Sequence, residues 1–197
     1  ITSPDLIVSV HMGLVNGGAT TNGSFRQDNL TIGAGSGGGP AGVRLLGTLG
    51  YGGTSSTLVE LDPDSGDIIR EIGPVGFMVN GLAFDSTTGK LYASTSANDP
   101  NFVGLIEIDM DTGEGRPVGE PRWGGNVWVV VVIAIDSGGQ MYGWSGNGGN
   151  LVRIDKYSGI GEEICCANEY IAQHGLSFDS SDRLHAVSPP SRMLTCL

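Results

Sequence analysis

The sequence predicts an all-β chain built from repeated antiparallel units, and three observations predict it. One phrase occurs three times: Leu58-Val-Glu-Leu-Asp62, Leu105-Ile-Glu-Ile-Asp109 and Leu151-Val-Arg-Ile-Asp155, at intervals of 47 and 46 residues, each followed after two residues by Ser-Gly or Thr-Gly. A second phrase follows each copy, Gly81-Leu-Ala-Phe-Asp85, Val132-Ile-Ala-Ile-Asp136 and Gly175-Leu-Ser-Phe-Asp179, and then a third, Leu91-Tyr-Ala93, Met141-Tyr-Gly143 and Leu184-His-Ala186. Glycine supplies 34 of the 197 residues, which calls for many turns and little helix. A period of roughly 40 to 50 residues made of short apolar strands is that of a β-propeller blade.

Each element has a local reason. Residues 1–43 form a Gly-rich amino-terminal arm with one or two strands, of which Asp5-Leu-Ile-Val-Ser-Val10 is the clearest; residues 44–197 carry the blades. Arg44-Leu-Leu-Gly47 precedes Leu58 much as Leu91-Tyr-Ala93 precedes Leu105, so a diverged blade stands before the clear ones. In the first clear unit Leu58, Glu60 and Asp62 point to one side of a strand and Val59 and Leu61 to the other. Asp62-Pro-Asp-Ser-Gly66 is a turn, in which Pro presets φ, Asp caps and Gly takes a positive φ. Strands then follow at 67–72, 79–84 and 90–94, four per unit. Arg192-Met-Leu-Thr-Cys-Leu197 falls where the next Leu-Val-Arg-Ile phrase is due and reads as the opening strand of a further blade. The total is about four blade equivalents of four antiparallel strands, a ring completed alone or by another chain.

Composition excludes several partners. A net charge of −11 and a pI near 4.4, with no local basic cluster, argue against nucleic acid and favour cations. The longest apolar run, Val127 to Ile135, is far short of the roughly 20 residues of a membrane span and reads as a buried central strand. The chain starts at Ile1 without an initiator Met, and sequons stand at Asn22 and Asn29; both point to an extracellular or cell-surface protein. Cys165 and Cys166 are neighbours on one expected strand and face opposite sides, so they do not pair with each other. One of them, taken here as Cys166, can reach Cys196 on an adjacent strand; buried free thiols are the other reading.

The Asp-rich turns are the candidate metal site. Asp62, Asp64 and Asp67, and Asp109 and Asp111 with Glu114, place hard oxygen ligands at alternate positions, as calcium loops do. Gly66 arrives one position early for an EF-hand, and the third copy, Asp155-Lys-Tyr-Ser-Gly159, lacks the second acid, so plain hairpin turns are the competing reading. Asp85, Asp136 and Asp179 each stand at a turn start and are expected to cap backbone N–H groups. Gly33-Ala-Gly-Ser-Gly-Gly38 matches a dinucleotide fingerprint in letters only, since Gly39-Pro40 follows where a helix should open. His11, His174 and His185 lack metal-ligand spacing. Trp123, Trp128 and Trp144 serve blade packing or a platform for a carbohydrate or protein ligand.

The pattern Leu-x-x-Ile-Asp-x-x-Thr-Gly, Gly-Leu-Ala-Phe-Asp, Gly-x-Leu-Tyr-Ala resembles the extracellular propellers related to the NHL and YVTN repeats, over about Arg44 to Leu197. The resemblance implies the fold. Its functions run from adhesins, surface-layer proteins and scaffolds to quinoprotein dehydrogenases and metal-dependent lactonases or lyases, and no catalytic motif carries over residue by residue. The expectation is a non-enzymatic structural or binding module that self-assembles, as a homo-oligomer or polymer, into a filament or ring by strand exchange. The alternative is a metal-dependent lactonase-like or lyase-like enzyme, with residues such as Glu60, Asn80, Asn126 and Asp136 converging in the central channel.

Overall fold

The computed structural model describes residues 8–13, 32–34, 43–50, 55–62, 65–123, 125–146, 149–166, 175–188 and 192–196; for 8–13, 32–34, 43, 123, 165–166, 187–188 and 192–196 the description covers backbone alone. Among the described residues all eighteen elements are strands. The first blade holds β1 (Val8–Gly13), β2 (Ile32–Ala34), β3 (Val43–Gly50), β4 (Thr57–Leu61) and β5 (Ile68–Pro74) in the order β1-β3-β4-β5, with β2 also against β3. The second is β6 (Val79–Asp85), β7 (Lys90–Thr95), β8 (Leu105–Ile108) and β9 (Gly115–Gly119), and a hairpin of β10 (Arg122–Trp123) and β11 (Asn126–Val127) follows it. The third is β12 (Val130–Ile135), β13 (Met141–Ser145), β14 (Asn150–Ile154) and β15 (Gly161–Cys166); the fourth is β16 (Gly175–Phe178), β17 (Leu184–Ser188) and β18 (Arg192–Cys196). Within the last three blades every pairing is antiparallel, whereas β1 runs parallel to β3.

Three expectations shift. The sequence repeat and the sheets are out of phase by half a unit: β4 and β5 close one blade, and β6 and β7 open the next. Residues 192–196 are the third strand of the fourth sheet, paired with β17, instead of the opening strand of another blade. The run from Val127 to Ile135 is two pieces. Trp128 N donates to Pro121 O at 2.8 Å, which closes the β10–β11 hairpin and leaves Val127 exposed, and the strand proper starts at Val130. β12 then stands at the end of its sheet order, against β6 and β16, so it is an innermost strand and not a central one.

Successive side chains on a strand of the second and third blades enter different cores, because these blades are covered on both faces. Leu82, Leu91 and Ile106 pack against Leu46 and Leu58 of the first blade. Their neighbours Ala83, Tyr92 and Leu105 pack against Ile133, Met141 and Val152 of the third. Val132, Trp144 and Leu151 pack in turn against Leu176 and Leu184 of the fourth. Burial on both faces explains why the strands read as apolar runs rather than clean alternations. Trp144, 2% exposed, belongs to this packing.

The blades touch backbone to backbone at their outer ends. A Cβ on Gly119 would lie 1.9 Å from Ser158 O, and one on Gly73 would lie 2.1 Å from Thr112 O. Glycine is required there for close approach, at the same step of two successive seams.

Candidate functional site

The innermost strands of two blades carry matched bulges, as the outermost strands do at Ile72, Val118 and Ile164. In the β6–β7 pairing Val79 faces Thr95 and Gly81 faces Ser94, so Asn80 is an extra residue with no partner. In the β12–β13 pairing Val130 faces Ser145 and Val132 faces Trp144, which leaves Val131 extra in the same way. Asn80 and Val131 hold the same place in the repeat, one residue before the Gly-Leu-Ala-Phe-Asp and Val-Ile-Ala-Ile-Asp phrases. Such bulges bend a strand and re-aim one side chain, and they concentrate beside active sites. β6 touches β1 and β12, and β12 touches β16, so the bulged positions lie where the inner ends of the blades meet.

The frame around Asn80 is tightly held. Val79 N donates to Ser56 Oγ at 2.9 Å and Gly81 N to Ser94 Oγ at 3.1 Å. Met78 N donates to the Asp99 carboxylate, which also accepts Asn101 N at 2.8 Å and Phe102 N at 3.0 Å. A Cβ on Gly81 would lie 2.9 Å from Val132 Cα, so this glycine lets the two inner strands approach. Asn80 itself is half-buried, with an amide that both donates and accepts. The turn-forming Asn98-Asp99-Pro100-Asn101 is the sequence signal for Asp99, while Ser56 and Ser94, whose partners lie 23 and 13 residues away, carry none.

The sequence-derived acids are placed elsewhere. Asp62 Oδ1 accepts Ser65 N at 2.9 Å, and Asp67 supplies the carbonyl that receives Asp62 N at 2.8 Å, across a turn with Gly66 at φ +76°. Asp109 Oδ1 accepts both Asp111 N and Thr112 N at 2.9 Å, and these backbone donors, Thr112 first, lower its pKa. Asp111 projects into solvent, 3.9 Å from Arg44. Asp64 lies outside the described residues, as do His174, Asn22, Asn29 and the side chains of His11, Trp123, Cys166 and Cys196. By backbone, Cys166 is opposite Asn150 in the third blade and Cys196 opposite Leu184 in the fourth. Among the described residues no three His, Cys, Asp or Glu side chains gather as a metal site.

The residues named for a channel centre are not brought together either. Glu60 is buried between Arg70 at 2.7 Å and Arg44 at 3.2 Å. Burial raises its pKa, but the two guanidinium bonds outweigh this and lower it. Asp136 spends Oδ1 on Gln140 N at 2.8 Å, and Asn126 is exposed on the β10–β11 hairpin. Asp179 accepts Ser181 N, Arg183 N and the His185 ring; the His185 bond leads the causes that lower its pKa. Of that set only Asn80 stands at the inner end of the blades.

No family model matches the chain, and no curated protein matches it by sequence. Its fold is similar to solved structures. A gluconolactonase from Xanthomonas campestris aligns with TM-score 0.50 and 19% identity, over 76% of this chain and 47% of that one. A Bacteroides thetaiotaomicron protein of unknown function aligns with TM-score 0.55 and 17% identity, over 74% and 39%. The PQQ-bound aldose sugar dehydrogenase of Streptomyces coelicolor aligns with TM-score 0.51 and 15% identity, over 84% and 60%. The chain therefore spans between two fifths and three fifths of the proteins it is similar to, and at these identities the likeness establishes the propeller fold. It also corrects the expectation of a non-enzymatic module, because the gluconolactonase and the dehydrogenase are enzymes built on this architecture. Self-assembly into a filament or ring finds no support in these likenesses.

Proposed function

We propose that this chain forms part of a propeller enzyme acting on a sugar-derived small molecule, a sugar lactone first, at the inner end of the blades. The observation that carries the reading is the matched bulge on β6 and β12, which presents Asn80 and Val131 at one level of two successive innermost strands. The fold likeness to a gluconolactonase and to a sugar dehydrogenase supports it. Asn80 supplies an amide that binds a lactone carbonyl or a ring hydroxyl, and Val131 supplies an apolar wall beside it.

A divalent cation, calcium first, or a quinone is the cofactor this reading admits. The described residues do not assemble a cation site, because Asn80 is the lone hard-oxygen side chain of the proposed channel set standing there and Glu60 is engaged by two arginines.

The test is turnover of glucono-lactone by the purified protein, measured as acid release with and without calcium, beside oxidation of an aldose with added PQQ and an electron acceptor. Lactone consumption above the spontaneous rate that drops at least tenfold in Asn80→Ala, with the melting temperature kept, supports the reading. PQQ-dependent oxidation alone would shift it to a dehydrogenase. Turnover of neither substrate, or turnover unchanged in Asn80→Ala, would overturn it.

A further inference from the structure

Asn80 is followed directly by Gly81, and an asparagine before glycine is chemically exposed to its own backbone. Glycine has no Cβ to keep its peptide nitrogen away from the asparagine side-chain carbonyl carbon. The fold holds on to this pair for a separate reason. A Cβ at position 81 would stand 2.9 Å from Val132 Cα and 3.0 Å from Ile133 N, so the approach of β6 and β12 requires glycine there. Asn80 itself is the bulged residue, half-buried and out of the β6–β7 register.

The residues on either side of Asn80 are held by serine hydroxyls. Val79 N donates to Ser56 Oγ at 2.9 Å, and Gly81 N donates to Ser94 Oγ at 3.1 Å. Both serines are buried, at 3% and 2% exposure, so the two bonds are alike in kind and in surroundings. They differ in which nitrogen they hold. The bond to Ser94 engages the very nitrogen that cyclisation onto Asn80 needs free, keeping it protonated and aimed at the hydroxyl. In the first blade Thr48 takes the same register place, opposite Leu58 as Ser94 is opposite Leu105, so a hydroxyl recurs at this position.

We propose that Asn80 is a latent deamidation site and that the Ser94 hydroxyl is its guard. When the Gly81–Ser94 bond opens, Gly81 N gives its proton to solvent and its electron pair forms a bond to Asn80 Cγ. The Cγ–Nδ2 bond breaks, and the amide group takes up a proton and leaves as ammonia, which closes a succinimide. Water then adds to one of the two ring carbonyls and opens the ring to aspartate or isoaspartate. The product carries a carboxylate in place of a neutral amide at the inner end of the blades. Isoaspartate also lengthens the β6 backbone by one methylene.

The test ages the whole protein at mildly alkaline pH and reads Asn80 conversion by peptide mass spectrometry, beside hydrogen exchange of the Gly81 amide by NMR. Conversion is expected to be slow in the native chain and fast in the chain unfolded in urea. Ser94→Ala should speed it about tenfold, the worth of one hydrogen bond. Ser56→Ala, which removes the matching bond on the other side, and Ser94→Thr, which keeps the hydroxyl, should stay near the wild-type rate. In wild type under rising, sub-denaturing urea, conversion and Gly81 exchange should climb together, since both need the same opening. That comparison uses no variant and decides the matter if Ser94→Ala does not fold. Native conversion as fast as in the unfolded chain, no change in Ser94→Ala, equal acceleration in Ser56→Ala, or conversion out of step with Gly81 exchange would overturn the proposal. Neither readout is turnover, so the result is independent of the enzymatic reading.

Discussion

The seam between the second and third blades and the seam between the third and fourth use the same turn of the repeat and close it in opposite ways. At the former, Asp85 is fully buried: it accepts Thr87 N at 3.0 Å, Thr87 Oγ1 at 2.6 Å and Thr88 Oγ1 at 2.7 Å, and it pairs with Lys156 of the next blade. Burial alone would raise its pKa, yet Lys156 and the threonine donors pull it down to about 2. At the latter, the tie runs through exposed groups: Asp182 accepts Ser137 N at 3.0 Å and also bonds the Ser137 hydroxyl. Asp182 sits at φ +56°, where the earlier turns have Gly89 and Gly139, so a residue suited to the left-handed region also reaches across the seam. The comparison teaches that a turn cap becomes a buried ion pair only where the next blade's turn covers it.

The sharpest way to break the comparison is Lys156→Met, which leaves Asp85 buried without its cation and should cost about 3–5 kcal/mol by denaturant unfolding. Adding Asp85→Leu to it should return much of that loss, since an apolar pair of similar volume has no charge to desolvate. The pH dependence comes next. Asp85 titrates near 2 in the folded chain against 3.8 ordinarily, so its contribution is complete above pH 4 and disappears as pH falls through 2. Unfolding followed across that window should show a loss of roughly 2 kcal/mol that is missing in the double variant.

Breaking the exposed seam should do less. Asp182→Gly removes the bonds to Ser137 but relieves the positive φ, and thermal unfolding should register a much smaller change than Lys156→Met does. The charged pairs at Glu60 in the first blade and Arg153 in the third give the finest contrast. Glu60→Gln strips the buried Arg44 of its counter-charge and should cost roughly 2–3 kcal/mol. Arg153→Ala, in an exposed and solvent-screened pair, should leave the unfolding midpoint nearly unchanged. Equal costs for the two would mean that coverage by the next blade does not set their worth.

Parts of this were legible beforehand because they are local. The Asp-x-x-Ser/Thr-Gly turns needed only a capping carboxylate and a glycine, and Gly66, Gly113 and Gly159 all take φ between +76° and +83°. Asp85 was readable as a cap for the same reason. The lysine in Asp155-Lys-Tyr-Ser-Gly159 was legible merely as part of a turn; its partner Asp85 lies 71 residues away. The bulges at Asn80 and Val131 were not legible, because an unpaired residue is defined by the register of its partner strand and not by its own identity.

By itself the sequence determined the all-β class, the repeat period, the turns and the alternating faces of the strands, since these rest on backbone preferences and side-chain periodicity within a few residues. Tertiary structure decided the phase in which strands group into blades and which face of each blade is covered. It also decided whether an aspartate stays a turn cap or becomes half of a buried ion pair, and which residue of an inner strand is turned out of register. Those outcomes depend on desolvation and packing between groups about 40 to 70 residues apart, which a local pattern does not encode.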